Sequence, residues 1–299
     1  MDMVLANNVY AHIPDIRGVT KSIEYVLNKS EGSTHDYLKI IKKLMSKLET
    51  SEEEKNKWRE RISKEVKLAV KVQENFLPKR NLKNYPVHGI NISAREVSGD
   101  FFSFYPHNNS IYFIIADVAG KGIHAGMVMA KASTLFEVLS QSKVDPDEMV
   151  FHMNNDLNNT KKGGMFVPSI IVEYNLISDE IKWVNAGHQP ALVRNNNGKY
   201  NKIESSAPPL GVIKQKDKSF YKINKIKLNG SRFYAFTDGL SESFNEKGEE
   251  IGIDGSIQII ENNFNKDIKK QLSNITKEVI KTAGKNKLND DLTLLSVGN

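Results

Sequence analysis

From Tyr37 onward, positions recur at alternating steps of four and three: Tyr37, Ile41, Leu44, Leu48, Ser51, Lys55, Trp58, Ile62, Glu65, Ala69, Val72 and Phe76. Nine of these twelve positions are apolar, which favours a coiled-coil seam over a solvated single helix. The pattern predicts an α-helical stalk over 33–77. Ser33 followed by Asp36 supplies an S-x-x-D start, whose side-chain oxygen satisfies free amides in the first turn. Ser51 with Glu54 can cap a fresh helix, so the spacing also allows a break near 50. Two packings satisfy the seam: a parallel dimer, which we favour, or a helix pair folded onto its own domain. Pro78 ends the pattern, because proline lacks the amide and clashes with the preceding turn.

Beyond Pro78 the period changes from helix to strand. The runs VHGINISAR, SIYFIIADV, PSIIVEYNLI, EIKWVNAG, ALVRN, YKINKIKLN, SRFYAFTDG and LTLLSVGN are separated by turns rich in Asn, Gly and Asp. Helical stretches interrupt them near 123–140, 145–159 and 265–284. Antiparallel strands with helices outside predict an α+β fold, a central antiparallel β-sandwich flanked by helices (αββα) behind the N-terminal stalk. The chain thus divides into a short partner-binding or regulatory segment at 1–32, a helical linker at 33–77 and a folded domain at 78–299.

Composition narrows the classes. A hydrophobic content of 39% over 299 residues supports a real core. No apolar run approaches the ~20 residues of a membrane helix, and the N-terminus shows no apolar signal, so a cytoplasmic protein is expected. There are no cysteines, which excludes disulfides, thiolate zinc sites and a cysteine nucleophile. The net charge of +6 suggests nucleic acid, yet the lysines are scattered, as in KIIKKLMSKLE and YKINKIKLNG, without interleaved aromatics. They read as a solvated surface, and no nucleic-acid partner is expected.

The acids fall at strand ends. IYFIIADVAGKG carries Asp117 from a wholly apolar strand into a glycine-rich turn, and FTDG sets Asp238 after a strand. NDDLTLLSV sets Asp290 and Asp291 before one, and SGDFF sets Asp100 at a further turn. An unpaired ion at the edge of a core is costly. Carboxylates at such turns can hold two Mg2+ or Mn2+ ions, which prefer oxygen ligands and retain water. Two such metals can share a hydroxide for in-line attack on an electrophile. Each acid also has a plainer reading. Asp-Gly is a common hairpin turn, Asp117 can cap the helix after Gly122, and spacing alone does not bring the four together.

In chain order, VQENFLP, AREVSGDFF, ADVAGKGIHAGMVMA, MNNDLN, MF, NAGHQPAL, PLGV, FTDGLSES and NDDLTLLSV span nearly all of 73–299. This series resembles the bacterial branch of the metal-dependent (PPM, protein phosphatase 2C-like) serine/threonine phosphatases. Within it, the chain is most similar to the sporulation and stress-response enzymes that act on anti-anti-sigma factors. The resemblance implies hydrolysis of phosphoserine on an anti-anti-sigma-type (STAS) partner by a metal-bridging hydroxide, with two Mn2+ or Mg2+ ions. It implies that Asp117 bridges the metals, that Val118 offers a backbone carbonyl, and that Asp238 and Asp290 hold the other metal. Asp100 would act through metal-bound water, Gly99 would allow the close turn, and Asp291 would stand behind the ligands. Arg95 and Lys121 are phosphate candidates with Gly120 shaping the turn; an exposed strand arginine and a solvated lysine are the plainer readings. His188 in NAGH is read as a turn residue rather than a general acid, leaving metal-bound water as the default proton donor. Ser98 stands where the pattern usually has glycine, Ser103 where an aspartate often follows, and Pro168 where threonine is usual. Relatives carry a regulatory region before the phosphatase, which implies an activator at the N-terminal segment and a homodimer through 33–77. The alternative is a non-catalytic adaptor that binds a phosphorylated partner on the same face.

Overall fold

The computed structural model describes residues 34–78, 85–94, 97–159, 164–245, 248–283, 288 and 290–298. The 1–32 segment, with its expected partner-binding role, lies outside the described residues. Internal contacts divide the chain into two units, 1–64 and 65–299. The described part of the first is one helix. Helix α1 runs from Thr34 to Gln73 without a break near 50, and no glycine or proline falls within it to cause one. Met45, Trp58 and Ile62 stand exposed on it.

The last turns of α1 belong to the second unit and have two faces. Val66, Ala69, Val70 and Gln73 turn inward to differing degrees, whereas Leu68 and Val72 remain exposed. Among the described residues, the rest of this unit holds ten strands. One sheet has the order β1 (Val87–Ile92), β10 (Leu292–Val297), β9 (Arg232–Phe236), β6 (Ala191–Arg194), β7 (Tyr200–Ile203). The other has the order β2 (Phe101–His107), β3 (Ser110–Ala116), β4 (Ser169–Asn175), β5 (Glu180–Ala186), β8 (Asn224–Lys227). Every named pairing is antiparallel.

Side-chain alternation along the strands sorts residues into three layers. In β3, Ile111, Phe113 and Ile115 face the other sheet, where they meet Phe233, Ala235, Leu295 and Val297. Tyr112, Ile114 and Ala116 face outward, under α2 (Ile123–Gln141) and α3 (Pro146–Asn159), against Met129, Phe136, Met149 and Met153. On the opposite side, Tyr234, Phe236, Leu292 and Leu294 pack under α5 (Gly252–Asn262) and α6 (Ile268–Ala283). Both faces of β3 are covered, which is why it reads as one apolar run. The αββα sandwich expected from the sequence is present. Phe113 lies at its centre, edge-on to Phe233 with centroids 5.7 Å apart. Phe113→Ala is expected to lower unfolding free energy by about 3–5 kcal/mol, as read from a chemical denaturation midpoint.

Three elements escape the sequence pattern. Strand β2 contains Pro106, which is tolerated because β2 is an edge strand with β3 as its ladder neighbour. Strand β7 is a four-residue edge. Helix α5 carries Gly252, Gly255 and four isoleucines, all poor helix signals; the turn-spaced Ile253, Ile257 and Ile260 pack into the core beneath it.

Candidate active site

Strand register brings the acids to one end of the sandwich. Phe101 of β2 lies opposite Ala116 of β3. Asp100, just before β2, and Asp117, just after β3, therefore leave their sheet together. In the other sheet Leu294 of β10 lies opposite Phe236 of β9. Asp238 follows β9, and Asp290 and Asp291 precede β10, so these also leave side by side. The two groups meet. The carboxyls of Asp100 and Asp117 lie against each other, each changing the other's proton affinity. Asp117 feels the charges of Asp290 and Asp291, and Asp238 feels those of Asp117 and Asp290.

Crowding and burial show in the proton affinities. Burial first, then the Asp117 charge, push Asp100 well above the usual carboxylate range, against a hydrogen bond with Thr237. Burial also raises Asp117, opposed by its bond with Asp100. Asp238 is pushed up to about 7 by burial, then by Asp117, Glu242 and Asp290. Dry, mutually repelling carboxylates are the groups that gain most from a bound cation.

The remaining sequence candidates fall around this cluster. Asp291 is buried and accepts from three groups of one loop: Ala94 N at 2.8 Å, Ser98 Oγ at 2.6 Å and Gly99 N at 3.0 Å. It therefore supports the loop that leads into Asp100. The Val118 carbonyl faces the same loop, since a Cβ added to Gly99 would lie 3.1 Å from it. The Asp117 amide donates to Pro168 O at 3.1 Å, so proline there keeps the one group this bond needs. Asp238 opens the short helix α4 (Asp238–Ser241) rather than a hairpin. A Cβ on Gly239 would lie 2.0 Å from Asp291 O, so glycine is what lets the Asp238 backbone lie against Asp291. Gly120 adopts φ 116 at the turn, and Lys121 Nζ lies 2.6 Å from Asp290 Oδ2. Arg95 lies outside the described residues.

His188 is buried and held in its turn. Its amide donates to Asn185 Oδ1 at 2.9 Å and its Nδ1 lies 3.0 Å from Gln189 O. Its Nε2 finds no hydrogen-bond partner among the described residues. Burial depresses its pKa from 6.5 to about 4. The folded chain thus favours the neutral ring. Stability is full above pH 6.5 and is lost as pH falls toward 4, by as much as about 3 kcal/mol. The thermal midpoint of the wild type is expected to drop across that window, and that of His188→Gln to drop less.

Several residues around the acids receive no role from the sequence, although Thr293 and Gln189 lie inside the quoted motifs. Thr293 Oγ donates to Asp100 Oδ2 at 3.1 Å, and Asn91 Nδ2 reaches both Thr293 Oγ1 and Asp100 O, at 2.7 and 3.2 Å. Gln189 donates to Phe236 O and accepts from Ser241 Oγ at 2.9 Å, bracing the two sides of Asp238. Gln73, at the end of α1, grips Ser98 twice: Nε2 donates to Ser98 O at 2.5 Å and Oε1 accepts from Ser98 N at 3.1 Å. Gln73 does lie within VQENFLP, and a polar residue on the inward face of a helix is the signal that marks it.

Among the described residues, no group of three or more acidic or histidine side chains is drawn together ready to ligate an ion. Asp290 is turned to Lys121. The donor chemistry itself fits Mg2+ or Mn2+, with carboxylate and carbonyl oxygens only and an excess of negative charge in a partly dry site.

A family model described as Stage II sporulation protein E (SpoIIE) matches residues 107–298. The chain belongs to the SpoIIE family. Asp117, Asp238, Asp290 and Asp291 lie inside the matched span. Phosphoserine phosphatase RsbU of Bacillus subtilis (strain 168) is 25% identical over 238 residues, which cover 78% of this chain and 70% of RsbU. Two further curated relatives are longer, and the chain spans 48% and 45% of their lengths. The SiaA-PP2C domain of Pseudomonas aeruginosa matches with a TM-score of 0.71 at 16% identity, over 81% of this chain and 98% of that one. RsbX in complex with magnesium matches with a TM-score of 0.52 at 19% identity, over 71% and 94%. The chain thus carries a SpoIIE-family domain with a PP2C-like fold, preceded by a helix, as its motif order implies. No helix among the described residues is long and apolar enough to cross a membrane.

Proposed function

We infer that this SpoIIE-family phosphatase is metal-dependent and removes phosphate from a phosphoserine on an anti-anti-sigma-type (STAS) protein. The observation that carries the reading is the convergence of Asp100, Asp117, Asp238 and Asp290 at one end of the sandwich, where burial and mutual charge raise the proton affinities of Asp100, Asp117 and Asp238. RsbU, named a phosphoserine phosphatase, supports the substrate class. In this reading Asp117, the Val118 carbonyl, Asp238 and Asp290 would hold two divalent cations, and Asp100 would act through water. Magnesium, present in the RsbX complex, and manganese both suit these oxygens. Bound there, such ions supply Lewis acidity toward phosphate oxygens and acidify a water.

In the net reaction a bond forms between water oxygen and phosphorus and the serine ester P–O bond breaks. Serine hydroxyl and inorganic phosphate leave. The chain's own residues contribute placement. Asp291 holds the loop before Asp100, Thr293 fixes the Asp100 carboxyl, and Arg95 is the proposed guanidinium fork for phosphate.

Regulation follows the same geometry. The 33–77 helix acts as a dimerising linker, supported by the apolar exposure of Trp58, Ile62, Leu68 and Val72. An activator acts through 1–32. A signal that shifts the end of α1 reaches the Asp100 loop through the paired bonds of Gln73 to Ser98. A p-nitrophenyl phosphate assay tests catalysis: turnover is expected in Mn2+ and none after chelation. A folded chain without turnover in Mn2+ would favour the non-catalytic adaptor.

A further inference from the structure

Lys121 places a positive charge against acids that the phosphatase reading assigns to cations. Its ammonium lies 2.6 Å from Asp290 Oδ2. Its charge also reaches Asp117 and Asp238. One ammonium thus serves three acids of the cluster. The two paired side chains are 47% and 32% exposed, so the bridge is a reversible surface contact rather than a buried lock. The turn around it is built on two residues with positive φ, Gly120 at 116 and Gly122 at 81. Apart from its own chain neighbours, no described residue lies within 4 Å of where a Cβ on Gly122 would sit. The backbone freedom of these glycines makes the turn that carries Lys121 adaptable.

We propose that Lys121 is an internal counter-ion to Asp290, which must leave before that carboxylate can ligate a divalent cation. The inference rests on the metal-phosphatase reading above. It deepens that reading by naming what sets the cation concentration at which the site loads. Lys121 and the cation compete for one carboxylate, so removing the lysine charge strengthens cation binding, and keeping the charge preserves the competition.

The test is Mn2+ titration of the full chain, stripped of metal, with free ion followed by electron paramagnetic resonance. It needs no turnover. Lys121→Gln and Lys121→Met are both expected to tighten Mn2+ binding by roughly 3- to 10-fold, the upper range for an exposed ion pair that also acts on two further acids. Lys121→Arg is expected to stay within about twofold of wild type, because it retains the charge. Unchanged or weaker binding in the two neutral variants, with helical content intact by circular dichroism, would overturn the proposal. If wild type binds no Mn2+ but the neutral variants do, the lysine is the block and the proposal stands. If no version binds Mn2+, the metal reading fails and takes this inference with it.

Discussion

Asp117→Asn is expected to hydrolyse p-nitrophenyl phosphate in Mn2+ at least about 1000-fold more slowly than wild type and to remain folded. The amide keeps the shape of the side chain but not its charge. It cannot bridge two cations, and the loss of about 4 kcal/mol of transition-state stabilisation corresponds to that factor. Folding is expected to survive because Asp117 pays for its position: burial and the charges of Asp290 and Asp291 raise its pKa. A neutral side chain removes that repulsion. The thermal midpoint without metal should therefore equal or exceed that of wild type. A variant with near wild-type turnover would remove Asp117 from the centre of the site.

Asp291→Ala is expected to weaken Mn2+ binding and lower turnover by roughly 10- to 100-fold, the range found for groups that orient metal ligands. The alanine leaves Ala94 N, Ser98 Oγ and Gly99 N without their shared acceptor. Bonds to a carboxylate contribute about 1.5–3 kcal/mol each, and buried donors left unmet add to the cost. The loop into Asp100 then loses its anchor, although Gln73 still holds Ser98 from the other side. Asp291→Asn retains one acceptor oxygen and should fall between the two. A thermal midpoint that drops while Mn2+ affinity stays constant would show that Asp291 supports the fold alone.

The outline of this protein is open to a reader of its sequence because its core strands are covered on both faces. SIYFIIADV has no polar residue between Ser110 and Asp117, so the acid that ends it stands out. Convergence is harder to read. It depends on Phe101 lying opposite Ala116 and Leu294 opposite Phe236, and no residue spacing states a register. Asn91 and Thr293 resemble ordinary strand residues, yet alternation turns both inward at the site end, where they meet Asp100. Gly239 looks like half of a hairpin turn; its actual constraint is a carbonyl fifty-two positions away, at Asp291. Ser98, a departure from the family pattern, turns out to add bonds: its hydroxyl donates to Asp291, and its oxygen accepts from the Asp100 amide at 3.1 Å. Helix α5 is obscured by glycines and β-branched residues whose packing, not propensity, makes them helical.

The most direct measurement is phosphate release from a serine-phosphorylated anti-anti-sigma-type protein by the full chain. It should be run with Mn2+, with Mg2+, and with EDTA followed by restored metal. Release is expected with a divalent cation, lost in EDTA and recovered on adding the metal back. Release undiminished in EDTA, or none with either metal from a folded chain, would contradict a metal-dependent phosphoserine phosphatase built on Asp100, Asp117, Asp238 and Asp290.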